Sequence, residues 1–180
     1  MIILASKSPR RKELLSLITD DFTVDSAEVD ETLPSGIEPD KAVEYLSKIK
    51  AQPFRKSGKI VIGADTVVAI DGKILGKPKN EKDAFFMLKN LSGKEHSVFT
   101  GVTVIKNDKE VTFSVQTKVK FFELDDREIE DYISSGEPFD KAGAYGIQGK
   151  GSLFVEKIDG DYFNVVGLPI SRLARQLKSI

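Results

Sequence analysis

The chain has no cysteine in its 180 residues, which excludes disulfides, zinc–thiolate centres and a thiol nucleophile. It has one histidine, His96, too isolated to signal histidine-based catalysis. It has no long apolar run: nothing approaches the roughly 20 residues needed to span a bilayer. The opening Met1-Ile2-Ile3-Leu4-Ala5 is too short for a signal peptide and has no basic flank before it, so a cytoplasmic location is expected. There is no excess of one charge, with 27 Lys+Arg against 28 Asp+Glu and a formal net charge of −1. Duplex nucleic acid and anionic membrane are therefore poor partners. Repeats, low-complexity tracts and linkers are also lacking. The glycine-dense stretch from Gly143 to Gly151 carries Ala144 and Gly151 where a Walker A loop needs Gly and Ser/Thr, and it does not read G-x-G-x-x-G either.

What is present is an alternation of strand and helix signals. Met1–Ala5 reads as a short buried strand, and Ser8-Pro9 as an N-cap followed by proline at the first helical position, with Leu14, Leu15 and Ile18 inside. Phe22–Val29 reads as extended. Pro39 opens a second helix with Ala42, Val43, Leu46 and Ile49 at helical spacing, which Pro53 ends. Ile60–Ile70 is a strongly apolar strand, Asp71-Gly72 a hairpin turn, and Lys73–Leu75 the return strand. Asn80 caps a third helix with Ala84, Phe85, Leu88 and Leu91 inside; Phe85, Phe86, Tyr132 and Phe163 all read as core. Strands are expected over 97–105 and 110–122, joined at Asn107-Asp108. Asp125 and Glu128 form a capping box for a fourth helix. Phe154–Val166 reads as a hairpin turning at Asp159-Gly160, and Ile170, Leu173, Ala174 and Leu177 mark a C-terminal helix. The expected fold is α/β with a mixed-direction sheet flanked by helices, in one domain over 1–180.

Four features carry chemistry. Ser6-Lys7-Ser8-Pro9-Arg10-Arg11 joins a strand to a helix and places two arginines in the first turn. Each exposed cation there costs about 0.3–1 kcal/mol against the helix dipole, a sign that a bound anion reverses. The turn is either a phosphate grip or a solvated basic surface. Asp65 interrupts an apolar strand beside Gly63. A carboxylate there must be paired, hydrogen-bonded or metal-bound. Lys50 lies near the apolar stripe of the second helix and either snorkels to solvent or points into a cleft holding phosphates. Glu28, Asp30 and Glu31 follow a strand; they are a solvated acidic loop or, with substrate phosphates, ligands for Mg²⁺. Lys77-Pro78 follows the hairpin after Asp65, and the glycine-dense stretch offers backbone for ligand contact.

These segments, with Glu13-Leu14-Leu15, Val29-Asp30-Glu31, Lys50-Ala51, Gly63-Ala64-Asp65-Thr66, Gly76-Lys77-Pro78, Leu91-Ser92-Gly93 with His96, Asp140–Gly149 and Val165–Pro169, resemble the Maf family of nucleoside triphosphate pyrophosphatases nearly end to end. The resemblance implies a fold of two lobes around a central cleft, a homodimer, and hydrolysis of a nucleoside triphosphate to the monophosphate and pyrophosphate with a divalent metal cation such as Mg²⁺ or Mn²⁺. It implies that Asp65 is the general base, that Ser8, Arg10, Lys50 and Lys77 contact the phosphates, and that Glu31 binds metal together with Asp65 or acts with Asp65 directly. Arg11, Thr66 and Gln148 look like the specificity set of the type acting on dTTP and UTP, Gln148 pairing with the O4/N3 edge of the base. A link to septum formation is also implied. Hydrolysis of modified nucleotides, and a non-catalytic division regulator binding nucleic acid through Ser6–Arg11, are the alternatives.

Overall fold

A computed structural model describes all residues 1–180. The chain forms β1 (Ile2–Ala5), α1 (Pro9–Ser16), β2 (Phe22–Asp25), α2 (Pro39–Ala51), β3 (Ile60–Ile70), β4 (Lys73–Leu75), α3 (Glu81–Leu91), β5 (Glu95–Lys106), β6 (Lys109–Phe121), α4 (Asp126–Ser134), β7 (Val155–Asp159), α5 (Tyr162–Val166) and α6 (Ile170–Ser179), with 3₁₀ turns between several of them. The strands make one seven-stranded sheet of order β2-β1-β3-β5-β6-β7, with β4 paired to β3. Two compact units divide the chain: Met1–Thr66 with Phe99–Val115 and Phe163–Ile180, and Val67–Val98 with Gln116–Tyr162.

In the first unit β1 pairs in parallel with both β2 and β3, Ala5 lying level with Asp25 and Gly63. From β1 the chain crosses to one side through α1, then back past β1 through α2. Right-handed crossovers in opposite directions put the two helices on opposite faces of the sheet. One face carries Ala5, Val61 and Ile105 packed with Ala51 and Phe54. On that face a Cβ at Gly63 would lie 2.2 Å from the Ser47 carbonyl, and one at Gly101 would lie 2.1 Å from that of Val43. Gly63 therefore admits backbone of α2. A hydroxyl chain adds to this seating: Ser47 donates to the Glu44 carbonyl, and its Oγ lies 2.9 Å from Thr103 Oγ1, itself 2.9 Å from Thr112 Oγ1.

The second unit is built on aromatic edges. Phe121, buried with Tyr145, Phe154 and Tyr132, meets His96, Tyr145 and Phe154 edge-on, and Tyr132 meets Phe154 at 4.9 Å. Helices α3 and α4 pack together here. Their starts follow the expected caps: Asn80 accepts from the Asp83 amide, and Asp125 and Glu128 form both bonds of the capping box. Asp71 and Gly72, both at positive φ, turn β3 into β4.

Two expectations are corrected. Phe154–Val166 is not a hairpin. β7 pairs antiparallel with β6, Lys118 opposite Asp159, and the chain then enters α5. Short apolar runs with β-branched residues do not separate strand from helix by periodicity. Here Thr117 Oγ1 exchanges hydrogen bonds with the backbone of Asp161 (3.0 and 3.1 Å), ending the strand direction. Phe86 is not core: it is 59% exposed, because α3 buries Ala84, Leu88 and Leu91 and residue 86 falls on the opposite side.

Two expectations for stability follow. Gly63→Ala should destabilise the protein by about 1–3 kcal/mol through overpacking against α2, seen as a lower urea midpoint; an unchanged midpoint contradicts the seating. His96 is buried, its Nε2 2.7 Å from Tyr145 Oη and its Nδ1 without a partner; burial pulls its pKa from 6.5 down to about 4. The unfolded chain then binds the proton first, so stability is lost as pH falls from 6.5 toward about 4. Urea titrations between pH 6.5 and about 5 should show that slope in the wild type and a shallower one in His96→Gln.

Candidate active site at the carboxyl end of the first strands

β1 has four residues and β3 eleven. Because Ala5 is level with Gly63, β1 stops just where Asp65 and Thr66 begin, and the Ser6–Ser8 turn leaves the sheet beside them. The loop after β2, which carries Glu31, departs from the same end, since Ala5 is also level with Asp25. Neighbouring connections that leave in opposite directions make the kind of switch point at which open α/β sheets bind ligands.

Successive strand residues point to opposite faces, so Asp65 and Thr66 serve different helices. On the α2 side Asp65 is ion-paired with Lys50 of the last helical turn, and Lys50 Nζ also lies 3.1 Å from Glu31 Oε2. The Asp65 and Lys50 side chains are only 13% and 18% exposed, while Glu31 is 54% exposed. Lys50 thus neither snorkels freely nor leaves Asp65 as a bare buried charge. On the other face, Arg11 donates from Nε to the Gly167 carbonyl (2.8 Å), from one terminal nitrogen to Ser6 Oγ (3.2 Å) and from the other to Thr66 Oγ1 (3.0 Å). Thr100 Oγ1 gives its proton to the Asn164 carbonyl at 2.8 Å. The 2.9 Å contact between Thr66 and Thr100 therefore has Thr66 as donor. Burial lowers the Arg11 pKa; the charges of Asp65 and Glu31 oppose the shift and that of Arg10 adds to it.

Ser8 is the N-cap residue of α1, with extended backbone, but its side chain makes no capping bond. Its amide instead donates to Ser6 Oγ at 3.2 Å. Proline follows at the first helical position, and the first turn contains no acidic residue. Arg10 is half-buried beside it. The first unit thus gathers Ser8, Arg10, Arg11, Glu31, Lys50, Asp65 and Thr66.

Lys77 and Gln148 belong to the second unit. Lys77 is exposed after β4, next to Gly76, whose carbonyl accepts from the Gly143 amide. Gln148 is exposed and precedes the 3₁₀ turn Gly149–Phe154. The amides of Lys150 and Gly151 are engaged by Glu137 at 3.0 and 3.2 Å, so this part of the glycine-dense stretch carries an internal carboxylate. Sequence reading gave no role to Thr100 or Asn164 and met Gly167 only as part of the Val165–Pro169 segment; these three complete the Arg11 network.

Fold and site together define an α/β protein with a polar, charge-paired site at the carboxyl ends of parallel strands. The chain belongs to the Maf-like protein family, whose sequence model matches residues 1–180. It is 53% identical over 180 residues to the dTTP/UTP pyrophosphatase of Bacillus pumilus (strain SAFR-032), covering 99% of this chain and 95% of that one. It is 55% identical over 179 residues to that of Bacillus cereus (strain AH187), covering 98% and 94%. The fold is shared with a HAM1 protein from Coxiella burnetii (TM-score 0.54, 12% identity, 99% and 98% of the two chains). It is also shared with the Staphylococcus aureus Ham1 protein (TM-score 0.50, 17% identity, 67% and 71%). No helix is long and apolar enough to cross a membrane.

The Arg11 fork is not replaceable by a point charge. Arg11→Lys should lower stability by about 1–3 kcal/mol, because Thr66, Ser6 and the Gly167 carbonyl lose partners together. Equilibrium unfolding measures this, and wild-type stability in the variant would contradict the network.

Proposed function

We propose that this protein is a nucleoside triphosphate pyrophosphatase that converts dTTP and UTP to the monophosphate and pyrophosphate. The observation that carries the reading is the placement of Asp65. It is a strand carboxylate held by Lys50 beside the unacidic, arginine-bearing start of α1, in a chain more than half identical along its length to relatives named for this activity.

Hydrolysis between the α and β phosphates forms a bond from water oxygen to the α phosphorus and breaks the bond to the bridging oxygen. The departing pyrophosphate takes that electron pair, and the water proton passes to a base. Asp65 is the base. Ser8, Arg10 and Lys77 bind the phosphates, where positioning and charge stabilisation supply most of the catalysis. Lys50 has three N–H donors; Asp65 and Glu31 engage two, leaving one for a phosphate oxygen. The protein has no cluster of three or more His, Cys, Asp or Glu side chains suited to a metal ion. Glu31 and Asp65, the two carboxylates that share Lys50, match in number and kind the one or two carboxylates that a magnesium-like cation takes alongside substrate phosphates. Such a cation, held by these two residues, would add Lewis-acid charge to the phosphates. Gln148 pairs with the base, its amide N–H donating to O4 and its carbonyl accepting from N3–H. Arg11 and Thr66 contribute to selectivity by fixing the wall at Ser6 and Thr66, since their own polar groups are engaged internally.

Purified protein with Mg²⁺ or Mn²⁺ should release pyrophosphate from dTTP and UTP in preference to CTP and purine triphosphates, read by chromatography of both products. Orthophosphate as first product overturns the mechanism. Preference for a methylated or deaminated nucleotide in the same panel overturns the substrate assignment. Asp65→Asn should lower kcat about 10²–10⁴-fold with circular dichroism unchanged; near-normal turnover removes Asp65 as base.

A further inference from the structure

Gln148 lies in a turn whose composition alone would leave it loose: Gly146, Gly149 and Gly151 surround it, Gly149 has φ +67°, and residues 148–150 are exposed. An exposed turn with several glycines loses much conformational entropy when ordered. Three hydrogen bonds act against that freedom, and all converge on one side chain. Glu137 accepts from the Lys150 amide at Oε2 (3.0 Å), and from the Gly151 amide and Tyr132 Oη at Oε1 (both 3.2 Å). Tyr132 Oη also accepts, at 3.4 Å, from the amide of Gly146, so the chain is held on both sides of Gln148. The fit is tight: a Cβ at Gly149 would lie 2.8 Å from Glu137 Oε2, and one at Gly151 would lie 2.9 Å from Tyr132 Oη. Tyr132 is fixed in turn, being 3% exposed and edge-on to Phe154. Lys141 Nζ binds the Glu137 carbonyl and Asp140, both at 2.6 Å, while its stem lies against Gly146. Nothing in the hydrolytic chemistry uses Glu137.

We propose that Glu137 is a positioning residue for base selection: through Lys150, Gly151 and Tyr132 its carboxylate holds the 146–151 turn so that Gln148 presents its amide in one orientation. This rests on the reading of Gln148 as the base-pairing residue. A carboxylate suits the role because it accepts in several directions and donates in none. Glutamine of the same size places an NH₂ where a backbone N–H already points.

The test compares wild type, Glu137→Gln, Tyr132→Phe, Gln148→Ala and the double variant Glu137→Gln/Gln148→Ala, with dTTP, UTP and CTP as substrates. Glu137→Gln should raise KM for dTTP and UTP about tenfold while kcat stays within about twofold and CTP is little affected. Tyr132→Phe, which keeps the ring packing, should move the same ratio less. The double variant should be no worse than Gln148→Ala alone, since residues acting as a unit are not additive. Amide exchange supplies a readout independent of activity: the Lys150 and Gly151 amides should exchange at least about tenfold faster in Glu137→Gln. An equal fall in kcat for all three nucleotides, an additive double variant, or unchanged exchange at those two amides each overturns the proposal. If Gln148→Ala keeps the base preference, the reading of Gln148 fails and the selectivity role of Glu137 with it, while the exchange data still decide whether the tether exists.

Discussion

The backbone contact of α2 with Gly63 and Gly101 is the constraint on which the first unit depends. Carbonyls of Ser47 and Val43 stand where side chains on β3 and β5 would otherwise be. The helix is thereby drawn onto the sheet closely enough for the hydroxyls of Ser47, Thr103 and Thr112 to link across it. Glu44 reaches Ser114 at 2.9 Å, and Glu110 gathers Lys48, Arg55 and Gln52 at the other end of the same helix. With the helix so fixed, the position of Lys50 one turn beyond Ser47 follows from helical geometry, and Asp65 lies two strand residues beyond Gly63 on the same face.

That geometry answers the electrostatic question posed by a carboxylate in an apolar strand. Removing charge from water is costly and is offset only by a partner and by satisfied hydrogen bonds. Asp65 has Lys50, and Lys50 has Glu31 as well. Across the strand the Arg11 fork satisfies three acceptors at once and hands a hydrogen-bond chain through Thr66 and Thr100 to the Asn164 carbonyl. The early end of β1 lets both networks face the same turn. A site held this way has its charged side chains already fixed by partners, so little further ordering of them is needed.

Much of this was legible in the residue order. The caps at Asn80 and Asp125 and the Asp71-Gly72 turn rest on interactions within a few residues, so local chemistry decided them; the extent of β3 was legible because its apolar run is long and unbroken but for Asp65 and Thr66. The helical second half of Phe154–Val166 was not legible, because its direction depends on Thr117, over forty residues away. Phe86 was misplaced for a related reason: α3 buries one stripe, and adjacent aromatics cannot both lie on it. In the glycine-dense stretch, spacing showed freedom of backbone but not that Glu137 engages two of its amides.

Residue order by itself determined which groups are available: a basic strand-to-helix turn, one carboxylate in an apolar strand, a lysine at the end of an amphipathic helix, a single histidine and no thiol. Each signal is local, a matter of residue type and spacing. The tertiary structure alone decided how they combine. It made Lys50 the partner of Asp65 and Glu31, turned Arg11 inward onto Ser6, Thr66 and Gly167, and gave Glu137 to the turn that carries Gln148. Those pairings join residues from five to more than one hundred and fifty positions apart, and only parallel registry, crossover handedness and close helix–sheet contact bring them within hydrogen-bonding distance.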